Sequence, residues 1–482
     1  MDKKFDKRIL FPAILVVLLV ALILSAIFLF GNNELVTLKA NMISLEYTEV
    51  VYDGVAKTPE VKITLNNNEV SEEEYEVTYS ENINAGTATV TVTAKENSKI
   101  LEGSASVEFV VEKAVKDVAT ASDLKTAVVN ENYISVNLTD DLEVSANQSV
   151  IIPAFAKVIA EDNVITNNGT IINNGTIVAN AKILGTGTII NNNEVVAYVS
   201  TREALVDAFE YATHIILDGN ISGVESDAYL GDIDVIATDR DYEFTLDLNG
   251  YTLGSELNLI NWVSKDVYTN YSIDAKIVDS SEAQTGVLGN EHADCWYGLM
   301  VKGDNKINVT INNIVLKANQ GGLYTNGNCA GAKITAQNCK FKGIGNGGVG
   351  AYLPARYVYN FTNCTFEGET GYYTKSGTHI LVDCNMNGTG AFSSPVYNGN
   401  GSEPTGCGIA IDSATGYLQP MTVVISGCEI TSTNGYGLEE FSTTKAGESQ
   451  VNYATVLVMN GTVMSGAKGN YTSQNNVVTV EA

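Results

Sequence analysis

Apolar positions change rhythm several times along this chain. Residues Leu10 to Phe30 form an apolar run with no charge and one proline, Pro12. A helix of that length spans about 30 Å, the thickness of a bilayer core. Lys3, Lys4, Lys7 and Arg8 precede it, against Asp2 and Asp6, and positive charge stays on the cytoplasmic side. The pattern predicts a cytoplasmic basic segment over 1–9, a transmembrane signal-anchor over 10–30, and a bulk that lies outside the cell. A cleaved signal peptide is the rival reading. Such peptides have a shorter apolar region and a small-x-small site, whereas Leu24 stands two before Ala26 and Leu29 two before Gly31.

From 33 to 114 the run gives way to alternation. Val61-Lys62-Ile63-Thr64, Tyr75-Glu76-Val77-Thr78-Tyr79 and Ala88-Thr89-Val90-Thr91-Val92-Thr93 place apolar residues at every second position. Asp53-Gly54, Asn66-Asn67-Asn68 and Asn84-Ala85-Gly86 separate them. Short alternating strands with frequent turns predict a β-sandwich.

A new period starts at Ile159. Written in sixes the chain reads IAEDNV, ITNNGT, IINNGT, IVANAK, ILGTGT, IINNNE, VVAYVS, with Ile159, Ile165, Ile171, Ile177, Ile183, Ile189 and Val195 in one position. One aliphatic per short unit predicts a β-solenoid, whose strands bury their faces only by stacking. Two stretches, Ser122 to Val128 and Thr201 to Phe209, have helical spacing, with Ser122 and Thr201 as N-caps. Each reads as a lid, since a bare solenoid end exposes strand edges. Two lids predict two stacks, a short one over 118–197 and a longer one over 198–482.

The longer stack repeats an alternating strand that runs into Asn, Asp or Gly. The segments are Val309 to Asn313, Ile334 to Asn338, Tyr359 to Asn363, Ile380 to Asp383, Val424 to Gly427 and Leu457 to Gly461. Their spacing suits one three-faced coil and lacks a helical period. The expected fold class is all-β: an N-terminal transmembrane helix, a sandwich, then a parallel β-solenoid in two stacks with short helical caps.

Charge narrows the partners. The chain carries 28 Lys plus Arg against 56 Asp plus Glu, a net charge of −28. That excludes nucleic acid, which needs a basic footprint, and docking on an anionic lipid surface. No cofactor is implied. The stretch Asp232, Asp234, Asp239, Asp241, Glu243 and Asp247 suits Ca²⁺ by ligand type. Its spacing matches no calcium loop, and a solvated acidic face is the other reading.

The seven cysteines all lie between 295 and 428. Cys339, Cys364, Cys384 and Cys428 each follow the Asn, Asp or Gly step, so they form a ladder on successive coils about 4.8 Å apart. Burial as a small hydrophobe is one reading, and disulfides or a metal site the other. Zinc needs convergent ligands, whereas a column spreads them along an axis. Cys295, Cys329 and Cys407 lie off the column and are the candidates for exposed thiols. Of the three histidines, His214, His292 and His379, none neighbours a nucleophile motif. His379 reads as a surface residue. His292, Glu291, Asp294 and Cys295 form the densest titratable cluster, in a loop. Trp296-Tyr297 and Tyr372-Tyr373 are aromatic pairs of the kind that stack on sugar rings, or else pack within the coil. No residue is assigned a catalytic or metal-binding role.

Two resemblances add to this. Tyr52-Asp53-Gly54, Lys57-Thr58-Pro59, Tyr75 to Tyr79 and Asn84-Ala85-Gly86-Thr87-Ala88-Thr89-Val90 resemble bacterial immunoglobulin-like repeats of surface proteins, which implies a spacer. From about 198 onward the chain resembles right-handed parallel β-helix proteins of the pectin-lyase-like class on bacterial surfaces. The residues are Phe244 to Leu253, Lys276 to Ser281, Ala351-Tyr352-Leu353-Pro354, Phe366 to Gly371 and Gly399-Asn400-Gly401. Lyases of this class use clustered Asp for calcium and a basic residue as base, and no matching motif is present. Its hydrolases use paired carboxylates and a Gly-His-Gly signature, which is absent. Asp383 and Asp412 have no identifiable partner in the sequence.

The expected function is therefore an exported, membrane-anchored, adhesin-like protein that presents a β-helix to a glycan, a host or cell-wall polymer, or a protein, without catalysis. The alternative is a polysaccharide lyase or glycoside hydrolase of the same fold.

Overall fold

The computed structural model describes residues 35–52, 55–112, 115–130, 133–180, 183–222, 229–394, 405–413, 421–442, 454–459 and 461–481. The expected basic and membrane segments (1–9 and 10–30), Asp53-Gly54 and Gly399-Asn400-Gly401 lie outside them. Among the described residues no helix is long and apolar enough to cross a membrane. The chain divides into two compact units, one up to 116 with 132–135, the other 117–131 with 136–482.

In the first unit the alternation does what it predicts. Val90, Val92, Phe109, Val111 and Ile63 are buried, while Thr89 and Lys62 point out. Glu49–Val51, Ser104–Glu112, Gly86–Ala94 and Tyr75–Ser80 form a four-stranded sheet; Ile43–Leu45, Val61–Leu65 and Asn68–Glu69 form a three-stranded one. The apolar sides meet in one core. Tyr75 and Tyr79 reach across it, donating their hydroxyls to Val61 O at 3.1 Å and Pro59 O at 2.7 Å.

The second unit is a three-faced parallel β-helix. Each hexad lies on a different face, so three hexads close one coil. Thr170 pairs with Thr188 and Ile177 with Val195, a coil of 18 residues. Ile165, Ile171, Ile177 and Val195 point inward. Ile159 does not: Val158 takes the inward place opposite Ile177, and a bulge follows at Glu161, whose φ is 47°.

The expected pair of stacks is corrected by the strand order. One 15-stranded sheet runs without a break through Val195–Val199 and His214–Leu217 to Val478–Val480. Only the other two faces start anew, as a nine-stranded sheet from Ile233–Ile236 and an eight-stranded sheet from Thr252–Leu253. Val196 pairs with His214, again 18 residues apart. Helix Arg202–Ala208 thus takes the place of two strands within one coil. Thr201 caps it, accepting from Ala204 N at 3.2 Å. Leu205 and Ala208 are buried, and Phe209 meets the edge of Phe244 with centroids 4.9 Å apart. The helix fills the core where the coil widens to 31 residues between Ile215 and Leu246. At the first helix, Thr120 rather than Ser122 is the cap, accepting from Asp123 N at 3.1 Å.

The repeated Asn, Asp or Gly step is the corner between the 15- and eight-stranded sheets. Asn313, Asn338, Asn363 and Asp383 all have positive φ, 60°, 55°, 50° and 53°, a conformation asparagine tolerates better than most residues. Their side chains ladder: Asn338 Nδ2 donates to Asn313 Oδ1 at 3.0 Å, and Asn363 Nδ2 to Asn338 Oδ1 at 2.8 Å. Each corner turns the next residue inward, so Cys339, Cys364, Cys384 and Cys428 stack in the core as free thiols. Their weak donors find strand carbonyls, as Cys339 Sγ to Gln337 O at 3.1 Å and Cys384 Sγ to Val382 O at 3.2 Å.

Candidate functional site

One sequence repeat escapes a search for strand-and-corner patterns. It reads Gly298-Leu299-Met300, Gly322-Leu323-Tyr324, Gly350-Ala351-Tyr352, Gly371-Tyr372-Tyr373, Gly408-Ile409-Ala410 and Gly437-Leu438-Glu439. These triplets open or lie at the start of successive strands of the nine-stranded sheet. The middle residue is a core residue in every coil. The third faces out, and Met300, Tyr324, Tyr352, Tyr373, Ala410 and Glu439 are register partners in turn.

The outer face therefore carries an aromatic column. Tyr297 stacks on Tyr324 with centroids 4.4 Å apart and planes 13° apart. Tyr352 follows at 5.7 Å, Tyr373 at 5.5 Å and Phe441 at 6.1 Å. Lys375 Nζ lies 5.6 Å from both the Tyr352 and Tyr373 rings, a cation–π distance. Exposure falls along the column. Trp296 is 58% exposed, Tyr297 and Tyr324 are half-buried, and Tyr352 and Tyr373 are 5% and 1% exposed.

That gradient sorts the four aromatics expected to bind ligand. Trp296 and Tyr297 lie at the open end. Tyr372 and Tyr373, adjacent in sequence, point to opposite sides of the sheet, and neither ring offers a face to solvent. Tyr372 belongs to the core, where its hydroxyl meets His379 Nδ1 at 2.6 Å. His379, expected at the surface, is fully buried, as are Cys295, Cys329 and Cys407, expected as exposed thiols. His292 stays part-exposed, with Nδ1 3.7 Å from Asp294 Oδ2.

A carboxylate wall adjoins the open aromatic end. Ile233 pairs with Leu257, so Asp232 and Glu256 sit side by side on neighbouring strands, and Asp234 faces Asn258. Asn258 Nδ2 donates to Asp234 Oδ1 at 2.8 Å. Glu256 Oε2 accepts from Tyr297 N at 3.0 Å, tying the carboxylate to the aromatic strand. Burial pushes the Glu256 carboxyl up to about 7; the charges of Asp232 and Asp234 add to this, and the backbone N–H groups of Tyr297 and Trp296 oppose it. Burial and Asp234 raise Asp232 as well. Burial also pushes the neighbouring Cys295 thiol up to about 11.

Because Glu256 holds its proton more tightly when folded, its contribution to stability is present below the unfolded carboxylate range and is lost as pH rises through about 7. Glu256→Gln keeps an acceptor for Tyr297 N and removes the buried charge. It is expected to melt higher than the parent at pH 8 and no higher at pH 5, measured by thermal unfolding at both values.

The acid stretch considered for Ca²⁺ is divided by the fold. Asp247 is buried at a corner, accepting from Asn249 N at 2.9 Å and Ser280 N at 3.0 Å. Asp241 accepts from Ser272 N at 2.7 Å. Among the described residues no group of three or more His, Cys, Asp or Glu is placed to hold a metal ion. Comparison with family models, with curated proteins and with solved structures finds no match to this chain.

Proposed function

We propose that the chain is an exported, membrane-anchored surface protein, adhesin-like, that binds a glycan on the outer face of the nine-stranded sheet. The observation that carries this is the open aromatic end. Trp296 is exposed, and Tyr297 and Tyr324 stack beside it over a rigid strand ladder. Rings held in this way present flat apolar faces at low conformational cost. Asp234 beside them, its exposed carboxylate held by the buried Asn258, supplies a polar group that fixes a ligand's orientation.

In this reading the apolar run 10–30 is the anchor and the solenoid is a right-handed β-helix, the hand almost all parallel crossovers take. The first unit is an immunoglobulin-like stem, as its order of motifs implies. The partner is a host or cell-wall polysaccharide, and the net charge of −28 keeps nucleic acid away.

Trp296→Ala and Tyr324→Ala each delete a ring from the open end. Each is expected to weaken binding of the full-length chain to a glycan array about tenfold, a loss of about 1.4 kcal/mol. Tyr373→Phe, away from the open end, is expected to bind as the parent does. Equal binding by all three variants would sink the proposal.

One observation favours a second reading, a glycoside hydrolase. Glu256 keeps a proton near neutral pH beside Asp232 and near Asp234, and hydrolysis pairs a protonated acid with a second carboxylate. Release of reducing ends by the parent and its loss in Glu256→Gln would establish that reading.

A further inference from the structure

The change of coil size leaves a step on the outside of the 15-stranded sheet, on a different face from the aromatic column. Its volume is about 530 Å³, and its lining includes Asn191, Asn192, Glu194, Glu243, Asp274 and Lys276. That volume suits a small ligand. We infer that this step is a second saccharide site, one that takes an uncharged oligosaccharide.

The lining is rigid and polar. Asn191 Oδ1 accepts from Asn173 Nδ2 at 3.3 Å, and Asn192 Nδ2 donates to Asn174 Oδ1 at 2.8 Å. Each asparagine is thus held by the coil before it, and each is exposed, with amide valences left over. His214 Nδ1 holds Glu194 Oε1 at 2.8 Å. On the next two coils Glu243 pairs with Asp274 and Thr245 with Lys276, so these outward side chains stand at fixed strand spacing. Groups held in place before binding lose little entropy on contact.

The chemistry of the lining selects the ligand. Carboxylates accept hydrogen bonds, an ammonium donates, and amides and hydroxyls do both. A sugar hydroxyl also does both, so a polyol satisfies this wall where an apolar ligand leaves it unpaired. Glu194, Glu243 and Asp274 outnumber Lys276, so a uronate or a sulfated sugar meets net repulsion here. Among the described residues lining the step the one aromatic, Phe244, is a core residue and offers no stacking platform. Hydrogen bonding therefore carries recognition, in contrast to the aromatic end of the other face.

The test uses the full-length chain and titration calorimetry. The probes are neutral hexasaccharides of glucose, N-acetylglucosamine and xylose, with hexagalacturonate as the acidic counterpart. The background is Trp296→Ala/Tyr324→Ala, which disables the aromatic end. At least one neutral hexasaccharide is expected to bind that background. Its affinity is expected to fall about tenfold on adding Glu243→Ala/Asp274→Ala, and likewise on adding Asn192→Ala. Circular dichroism spectra are expected to be unchanged by these surface substitutions.

Three results overturn the inference: no neutral hexasaccharide binds the background, hexagalacturonate binds as well as they do, or the step variants bind like the background. Loss of all binding in Trp296→Ala/Tyr324→Ala removes the step site alone and leaves the aromatic site standing. Binding that survives that double variant unchanged and falls only with the step substitutions removes the aromatic site and leaves this one.

Discussion

Gly350→Ala is expected to destabilise the β-helix by at least about 3 kcal/mol. A Cβ at Gly350 would lie 2.4 Å from Gly371 O, 2.7 Å from Glu367 N and 3.0 Å from the Phe366 carbonyl carbon. All three are main-chain atoms of neighbouring strands, so no side chain can rotate away. The strand ladder that joins one coil to the next would have to part instead. The same crowding holds at Gly322, where Leu316 O is 2.7 Å away, and at Gly371, where Gly408 O is 2.6 Å away. Gly219→Ala is the control, because its nearest neighbour is Ser200 Cβ at 3.4 Å, an ordinary contact. Thermal unfolding is expected to show a fall of about 5 °C or more for Gly350→Ala. Gly219→Ala is expected to stay near the parent.

The second large effect is a pH dependence centred on His379. Its ring lies 4.5 Å from Tyr359, nearly parallel to it, with no solvent contact. Ser376 O, 2.7 Å from Nε2, can only accept, so Nε2 carries the proton, and Nδ1 accepts from the Tyr372 hydroxyl at 2.6 Å. The neutral ring is thus fully bonded, and a second proton would bring a buried charge with no acidic partner among the described residues. Burial lowers its pKa to about 4, with the Ser376 carbonyl opposing this.

The unfolded chain binds a proton at His379 below about 6.5, while the folded chain does not until about 4. The stability it contributes is present above pH 6.5 and is lost as pH falls through that window. From pH 7 to 5 the loss is about 2 kcal/mol. Glu256 has the opposite sign over part of the same range, so the parent's curve alone does not isolate the histidine. The difference in stability between the parent and His379→Gln is the quantity to follow. It is expected to shrink by about 2 kcal/mol between pH 7 and pH 5, read from denaturant unfolding at each pH. A difference that stays constant would mean that the ring titrates freely when folded.

How far the sequence led depended on which signal was periodic. The hexads and the corner asparagines recur at fixed places, so the solenoid and the buried Cys column could be read without coordinates. The column of outward tyrosines recurs just as faithfully, but its spacing drifts with each loop. Tyr324, Tyr352 and Tyr373 share only a preceding Gly-x step. That step marks where the chain crowds the strand before it, which becomes visible only once the coils are stacked.

The adjacent pair Tyr372-Tyr373 was ambiguous for a simple reason. Neighbouring residues of a strand face opposite ways, so one had to be inside. His379 was legible by the same rule, since it alternates with buried Leu381 on the strand Gly377–Val382. Its residue type argued for the surface, and a fully bonded neutral tautomer overrode that. The helix at 202–208 looked like a lid because its apolar stripe is that of a cap. Only the pairing of Val196 with His214 shows that it lies within a coil.

Catch and release of oligosaccharides separates a binding face from a catalytic one most directly. The full-length chain is incubated with neutral hexasaccharides, and the sugars retained and released are weighed by mass spectrometry. With the step disabled by Glu243→Ala/Asp274→Ala, a binding face at Trp296, Tyr297 and Tyr324 predicts intact hexasaccharide retained, and that retention lost on adding Trp296→Ala/Tyr324→Ala. Shortened or unsaturated sugars in the released fraction, or retention indifferent to both substitutions, would contradict it.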